Sequence, residues 1–231
     1  MRPFLFGYDR DMSVTENFIF IEKEIVRAAR KYNRAPDSVH LMAASKNQDD
    51  DKLQEALDHG QRLFGENKVQ EAQVHWAARR SDYPDLRLHL IGPLQTNKAK
   101  DAVSLFDVIE TLDREKLADK LASEMHKQNR RLDCYIQVNT GEEPQKGGVH
   151  PRDFAALYRY ATEQAGLSVT GLMCLPPADE PAGLHFALLA QMARDYRLPN
   201  VSMGMSHDFD RAIAAGATQV RIGTALFGTR Q

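Results

Sequence analysis

The chain has 231 residues, 42% of them hydrophobic and 27% charged, with 30 basic against 32 acidic side chains and a formal net charge of -2. Such a chain can bury about 70% of its unfolded surface in one large or two small domains. The charge balance, with Arg pairs at 79-80 and 130-131 isolated rather than in a stripe, argues against nucleic acid as a main partner, and no apolar run is long enough to cross a bilayer.

Residues 1–14 read as an N-terminal tail: Arg2, Asp9, Arg10 and Asp11 make the opening dozen residues too charged for a secretory signal. From 15 to 32, Phe18, Ile21, Ile25, Ala29 and Tyr32 recur at three and four, which predicts an amphipathic helix closed off by Pro36. Residues 39–45 form a mostly apolar run that ends on Lys46 and is followed by Asn47-Gln48-Asp49-Asp50-Asp51. This is the pattern of a strand buried on both faces, with one amine delivered to its C-terminal end. Lysine avoids full burial unless paired. Lys46 therefore either reaches water or does chemistry.

A helix over about 50–58 follows, its end marked by Gly60. Strands are then predicted over 62–66, 86–91, 106–111, 132–138, 169–174, 201–205 and 218–222. Between them run segments with helical spacing: Val69, Ala72 and Trp76; a short stretch over 97–105; Leu117, Leu121 and Met125; Phe154, Leu157 and Ala161; Leu184, Leu188 and Met192; and 209–213, ended by Gly216. Eight strands alternating with helices predict a single α/β domain, a (β/α)8 TIM-type barrel over 15–231, with an open doubly wound sheet as the alternative. Cys134 and Cys174 lie in apolar strand-like runs without CxxC spacing and read as reduced packing residues of a cytoplasmic protein.

A barrel gathers the C-terminal strand ends at one mouth. Here they bring Lys46, Glu66, Asn67, His89, Gly92, Thr111, Asn139, Met173, the turn over 203–206 and the segment 221–224. In barrels the loops after strands seven and eight commonly hold a phosphate. These loops read Gly204-Met-Ser206-His-Asp and Arg221-Ile-Gly-Thr-Ala-Leu-Phe-Gly228. Singly, Gly204 and Gly223 serve turns and Ser206 caps a helix; together, their bare backbone N–H groups and the Ser206 and Thr224 hydroxyls make an anion site. A phosphate site opposite a lysine predicts a phosphorylated carbonyl compound held as a Schiff base, either pyridoxal phosphate or a sugar phosphate in an aldolase. No metal is expected, since His40, His59, His75 and His89 lack HExxH spacing and Asp49-Asp50-Asp51 suits a solvated helix start.

The segments Ala44-Ser-Lys46, Phe64-Gly-Glu-Asn-Lys-Val-Gln-Glu71, His89-Leu-Ile-Gly-Pro-Leu-Gln-Thr-Asn-Lys98, Gly171-Leu-Met173, Ser202-Met-Gly-Met-Ser206 and Val220-Arg-Ile-Gly-Thr-Ala-Leu-Phe-Gly228 closely resemble the pyridoxal phosphate homeostasis protein family. That family is similar in fold to the N-terminal barrel of alanine racemase, and the resemblance spans roughly 15–229. It implies that Lys46 carries pyridoxal 5'-phosphate (PLP) as an aldimine. Ser206, Gly223 and Thr224 match phosphate-cradling positions, Arg221 the arginine near the pyridine nitrogen, and Asn67, His89 and Met203 positions lining the ring. One departure is visible, His207 in Ser206-His207-Asp208. A cation there would strengthen phosphate binding at low pH if it faced the site, and would do nothing if it pointed to solvent.

An arginine at the pyridine nitrogen keeps that nitrogen an acceptor and weakens the ring as an electron sink. The resemblance therefore implies a PLP carrier in intracellular PLP homeostasis, passing the cofactor to PLP-dependent apo-enzymes and working as a monomer without catalytic residues of its own. The alternative is an amino-acid racemase. Racemases of this type use a tyrosine from a C-terminal β domain, and the expectation is that this chain, stopping at Gln231, carries no such domain.

Overall fold

The computed structural model of the protein describes residues 12–228. Helix α1 (Val14–Lys31) opens on Ser13 in a reciprocal cap: the Ser13 hydroxyl accepts from the Glu16 N–H, and the Glu16 carboxylate accepts from the Ser13 N–H. The helix starts one residue before the expected position. The tail expected over 1–14 lies, apart from its last three residues, outside the described residues.

Eight strands follow: β1 (His40–Ala44), β2 (Leu63–Glu66), β3 (Arg87–Leu90), β4 (Val108–Leu112), β5 (Asp133–Val138), β6 (Ser168–Cys174), β7 (Asn200–Ser202) and β8 (Gln219–Ile222). The helices after them are α2 (Asp50–Asp58), α3 (Val69–Trp76), α4 (Ala99–Leu105), α5 (Glu115–Lys127), α6 (Phe154–Arg159, continued by a π turn), α7 (Ala182–Asp195), α8 (Phe209–Ala215) and α9 (Thr224–Phe227). Each strand pairs parallel with the next, and β8 returns to pair with β1 through His40↔Gln219 to Ala43↔Ile222, closing the barrel. The expected (β/α)8 barrel with an added N-terminal helix is the observed fold. Helix α9 was not assigned from sequence because four residues are too few to show a helical period.

The apolar core is a sleeve between the strands and the helices. Val220 and Ile222 face it with Leu53, Phe64, Trp76, Leu121 and Phe186. The buried stripe of α1, including Phe18, Ile21 and Ile25, closes the sleeve against α2, α8 and α9.

The barrel lumen is different in kind. Alternation along β8 turns Gln219 and Arg221 inward, where they meet Glu110 of β4 and Ser202 of β7; all four are buried. Bulky aliphatic residues usually fill this space. Here an ionic and hydroxyl network occupies it, lying directly beneath the mouth where the strand ends converge.

Candidate functional site

A cavity of about 250 Å³ opens at the C-terminal ends of β1, β2 and β8. Of the residues expected to form a site, it brings together Lys46, Asn67, Ser206, Arg221, Gly223 and Thr224. Ala44, Gln48, Ile91, Leu175, Met205, His207 and Gly228 complete its lining. Lys46 lies two residues past the end of β1, half-buried, and its ammonium group finds no carboxylate partner among the described residues. The next residue, Asn47, turns the chain with φ 52, a left-handed conformation that asparagine tolerates better than most residues.

The loop after β7 is shaped by Gly204. Its φ is +91, and a Cβ there would lie 2.5 Å from the Ala212 Cβ, so no other residue fits without displacement. The Gly204 carbonyl accepts from the Arg221 N–H at 3.0 Å, the Asp208 carboxylate accepts from the Met205 N–H at 2.6 Å, and the Ser206 hydroxyl accepts from the Ala225 N–H at 3.3 Å. The loops after β7 and β8 are thereby tied to each other. The far end of α9 is pinned as well: Asn17 Nδ2 donates to the Leu226 carbonyl at 3.0 Å and Lys52 Nζ to the Phe227 carbonyl at 2.7 Å. The backbone N–H groups of Ser206, His207, Gly223 and Thr224 find no acceptor among the described residues. Unpaired donors gathered on two adjoining loops are chemically suited to hydrogen-bond an oxyanion.

Beneath the cavity, Arg221 is held on two sides. One guanidinium nitrogen donates to Ser202 Oγ at 2.7 Å and another to the Cys174 carbonyl at 2.8 Å. Ser202 Oγ in turn donates to Glu110 Oε2 at 2.6 Å, so a single hydroxyl links cation to anion. The other carboxylate oxygen, Oε1, meets Gln219 Nε2 and His89 Nδ1, each at 2.6 Å. Burial pushes the Glu110 carboxyl up, but the His89 hydrogen bond and the charges of His89 and Arg221, together with the Ser202 hydroxyl, outweigh it and hold the group below the usual range. Glu110 is thus a buried carboxylate balanced against Arg221.

His89 and Met203 do not line the cavity. His89 belongs to the lumen network beneath it, with its ring edge-on to Tyr135. Met203 faces the apolar sleeve. The reason is strand parity: with Ser202 turned inward, Met203 points outward, and Met205 reaches the mouth instead. His207 lines the rim with its side chain 74% exposed, and its ring is 3.4 Å from the Asp208 carboxylate. Glu110 is the main residue that sequence reasoning passed over. Its signal was an acid inside the apolar run Val108-Ile109-Glu110-Thr111-Leu112.

On the β2 side of the mouth, buried Glu66 receives three donors on one carboxylate oxygen: Ser45 Oγ at 2.8 Å, His75 Nδ1 at 2.8 Å and Trp76 Nε1 at 2.9 Å. Ligand-capable atoms of Glu66, Glu71 and His75 lie within 4.8 Å of one another. The hydrogen bond to Glu66 raises the His75 pKa above its ordinary value, against the lowering effect of burial.

A parallel barrel with a lysine just past its first strand and unpaired backbone donors on its last two loops defines a class of barrel domain. In keeping with this, residues 24–231 match the family model described as alanine racemase, N-terminal domain. An alanine racemase from Corynebacterium glutamicum superimposes with a TM-score of 0.65 at 17% identity, covering 94% of this chain and 60% of that one, a likeness of fold. The pyridoxal phosphate homeostasis protein of Aquifex aeolicus is 38% identical over 229 residues, 95% of this chain and 100% of the relative. PipY of Synechococcus elongatus PCC7942, in a structure with PLP bound, superimposes with a TM-score of 0.80 at 35% identity over 94% of this chain and 100% of that chain. The chain belongs to the pyridoxal phosphate homeostasis protein family.

Proposed function

We propose that this protein binds PLP at the barrel mouth, holds it through Lys46, and works as a carrier that keeps the free cofactor low and passes it to PLP-dependent apo-enzymes in the cytoplasm. The observation that carries this reading is the placement of the Lys46 amine and four unpaired backbone N–H groups on one small cavity. The residues fit the group. Its phosphate suits the N–H groups of Ser206, His207, Gly223 and Thr224 together with the Thr224 hydroxyl; its ring suits the space beside Asn67, Ile91 and Leu175 above Arg221. When bound, the cofactor supplies an aldehyde able to join a primary amine and a ring able to withdraw electrons.

The chain's own residues restrain the second property. Arg221 offers donors and no acceptor, and its two hydrogen bonds to Ser202 and the Cys174 carbonyl fix the guanidinium in the cavity floor. A racemase requires a second acid/base facing the lysine. Among the described residues lining the cavity there is neither a tyrosine nor a carboxylate. The arrangement suits reversible capture and release of an aldehyde, with Lys46 regenerated when an incoming amine takes its place.

Absorption spectroscopy of the purified protein mixed with PLP tests the reading. The expected result is a visible band that borohydride abolishes, leaving a mass increment on Lys46, and that is missing in Lys46→Ala. A wild type that neither binds PLP nor carries the increment overturns the cofactor assignment. Steady, Lys46-dependent racemisation of an amino acid overturns the carrier role.

A further inference from the structure

We propose that Glu71, outside the cavity, is a positioning residue for Lys46; the inference rests on the assignment of Lys46 as the aldehyde-capturing amine. Both chain neighbours of Lys46 are held by carboxylates of the β2–α3 unit. On the N-terminal side, the Ser45 hydroxyl donates to Glu66 Oε1 at 2.8 Å and the Ser45 N–H to the Gly65 carbonyl at 3.0 Å. On the C-terminal side, the Asn47 N–H donates to Glu71 Oε1. These ties cross 21 and 24 residues of sequence, so neither is a local turn contact.

The two clamps differ in what else they do. Glu66 is fully buried and also receives His75 and Trp76, so it holds α3 against the barrel and cannot be removed without disturbing the core. Glu71 is half-buried on the first turn of α3 near His75, and among the described residues its hydrogen bond is to the Asn47 amide. That bond fixes a residue whose backbone already occupies the left-handed region. Without it the Lys46–Asn47 peptide is free to relax toward commoner conformations, carrying the lysine stem away from the cavity. A charge-assisted bond to a backbone N–H is among the stronger single restraints a side chain can supply. Positioning matters here because a flexible four-carbon stem must place one nitrogen over the aldehyde carbon, and errors near 1 Å slow reactions severely. In the step concerned, the neutral Lys46 nitrogen bonds to the aldehyde carbon and the carbonyl oxygen leaves as water.

The phosphate loops are anchored separately, through Asp208, Asn17 and Lys52. The proposal therefore separates two quantities that a general loosening of the site would move together. The test compares wild type, Glu71→Ala and Glu71→Gln in three measurements. These are the rate of PLP capture followed by absorbance, the dissociation constant of pyridoxine 5'-phosphate, which has an alcohol in place of the aldehyde, and hydrogen exchange at the Asn47 amide. Expected are capture about tenfold slower in Glu71→Ala, analogue affinity within twofold of wild type, loss of Asn47 protection, and recovery of most of the rate in Glu71→Gln, which keeps an acceptor oxygen. An unchanged capture rate, a parallel loss of analogue affinity, or a Glu71→Gln variant as slow as Glu71→Ala overturns the proposal. A wild type that captures no aldehyde refutes the functional reading instead. Asn47 exchange then decides the clamp: unchanged protection in Glu71→Ala refutes it, and lost protection upholds it.

Discussion

Substituting Gly92 by alanine probes how rigidly the mouth is built. A Cβ at Gly92 would lie 2.2 Å from the Asn67 carbonyl oxygen, 2.7 Å from its Cα and 2.8 Å from its carbonyl carbon, where ordinary contact begins at 3.4 Å. The clash is with backbone, so no side-chain rotation relieves it. Retreat on the other side is blocked as well: the Gly92 carbonyl accepts from Thr111 Oγ1 at 2.9 Å, and the Ile91 N–H donates to the Glu66 carbonyl at 2.9 Å. One of the two strand ends must move by more than an ångström, and Asn67 carries part of the cavity wall with it. Overpacking of this kind costs about 3 kcal/mol, which lowers the melting temperature by about 6–12 °C in a domain of this size. Two controls fix the scale. At Gly65 the nearest atoms are Met42 Sδ at 2.5 Å and Ile91 Cδ1 at 2.9 Å, ends of flexible side chains, so Gly65→Ala should cost about 1 kcal/mol. At Gly183, in α7, a Cβ meets nothing within 4 Å, and alanine should stabilise by about 0.4 kcal/mol. Calorimetry on the three variants, with PLP titrations on each, checks the order. A Gly92→Ala protein as stable as Gly65→Ala, with unchanged PLP affinity, refutes the reasoning.

Three further outcomes follow from the geometry. Ser202→Ala leaves an Arg221 N–H and a Glu110 oxygen unpaired inside the barrel, which should cost about 1–3 kcal/mol in urea unfolding; a loss below 0.5 kcal/mol would show that the hydroxyl link is dispensable. His75 has a raised pKa through its Glu66 hydrogen bond. Its protonated form therefore adds stability that is complete below the ordinary histidine pKa and is lost as pH rises through the raised value. The wild-type urea midpoint should fall over that interval and that of His75→Gln should not, and parallel profiles would contradict the pairing. The thiols of Cys134 and Cys174 are buried and pushed up to about 12, so neither should react with a thiol reagent at pH 8 until the protein unfolds, as a colorimetric thiol count would show.

The fold was legible to an unusual depth because a parallel barrel repeats one simple signal. Each strand shows an apolar run, each helix a three-and-four spacing, and glycine or proline marks the boundaries. The candidate site was legible where chemistry sits on backbone punctuation. Lys46 stands two residues past a strand end, and Gly204 and Gly223 lie near hydroxyl residues on the two loops where a barrel commonly presents an anion site. Residues whose role depends on side-chain direction were harder to place. His89 and Met203 stand at the right height in the sequence, but the structure places one in the lumen and the other in the sleeve. Position along a strand gives height, whereas facing requires the exact strand register.

The sequence by itself determined that an apolar strand would deliver the Lys46 amine to the barrel mouth, because periodicity and turn residues are local properties of the chain. Only the tertiary structure decided what surrounds that amine. The lumen network joining His89, Glu110, Ser202, Gln219 and Arg221 draws on four strands spread over 133 positions. The carboxylates holding Ser45 and Asn47 come from β2 and α3. Hydrogen bonds of this range depend on strand order and on which face each side chain takes, and both are set only when the barrel closes.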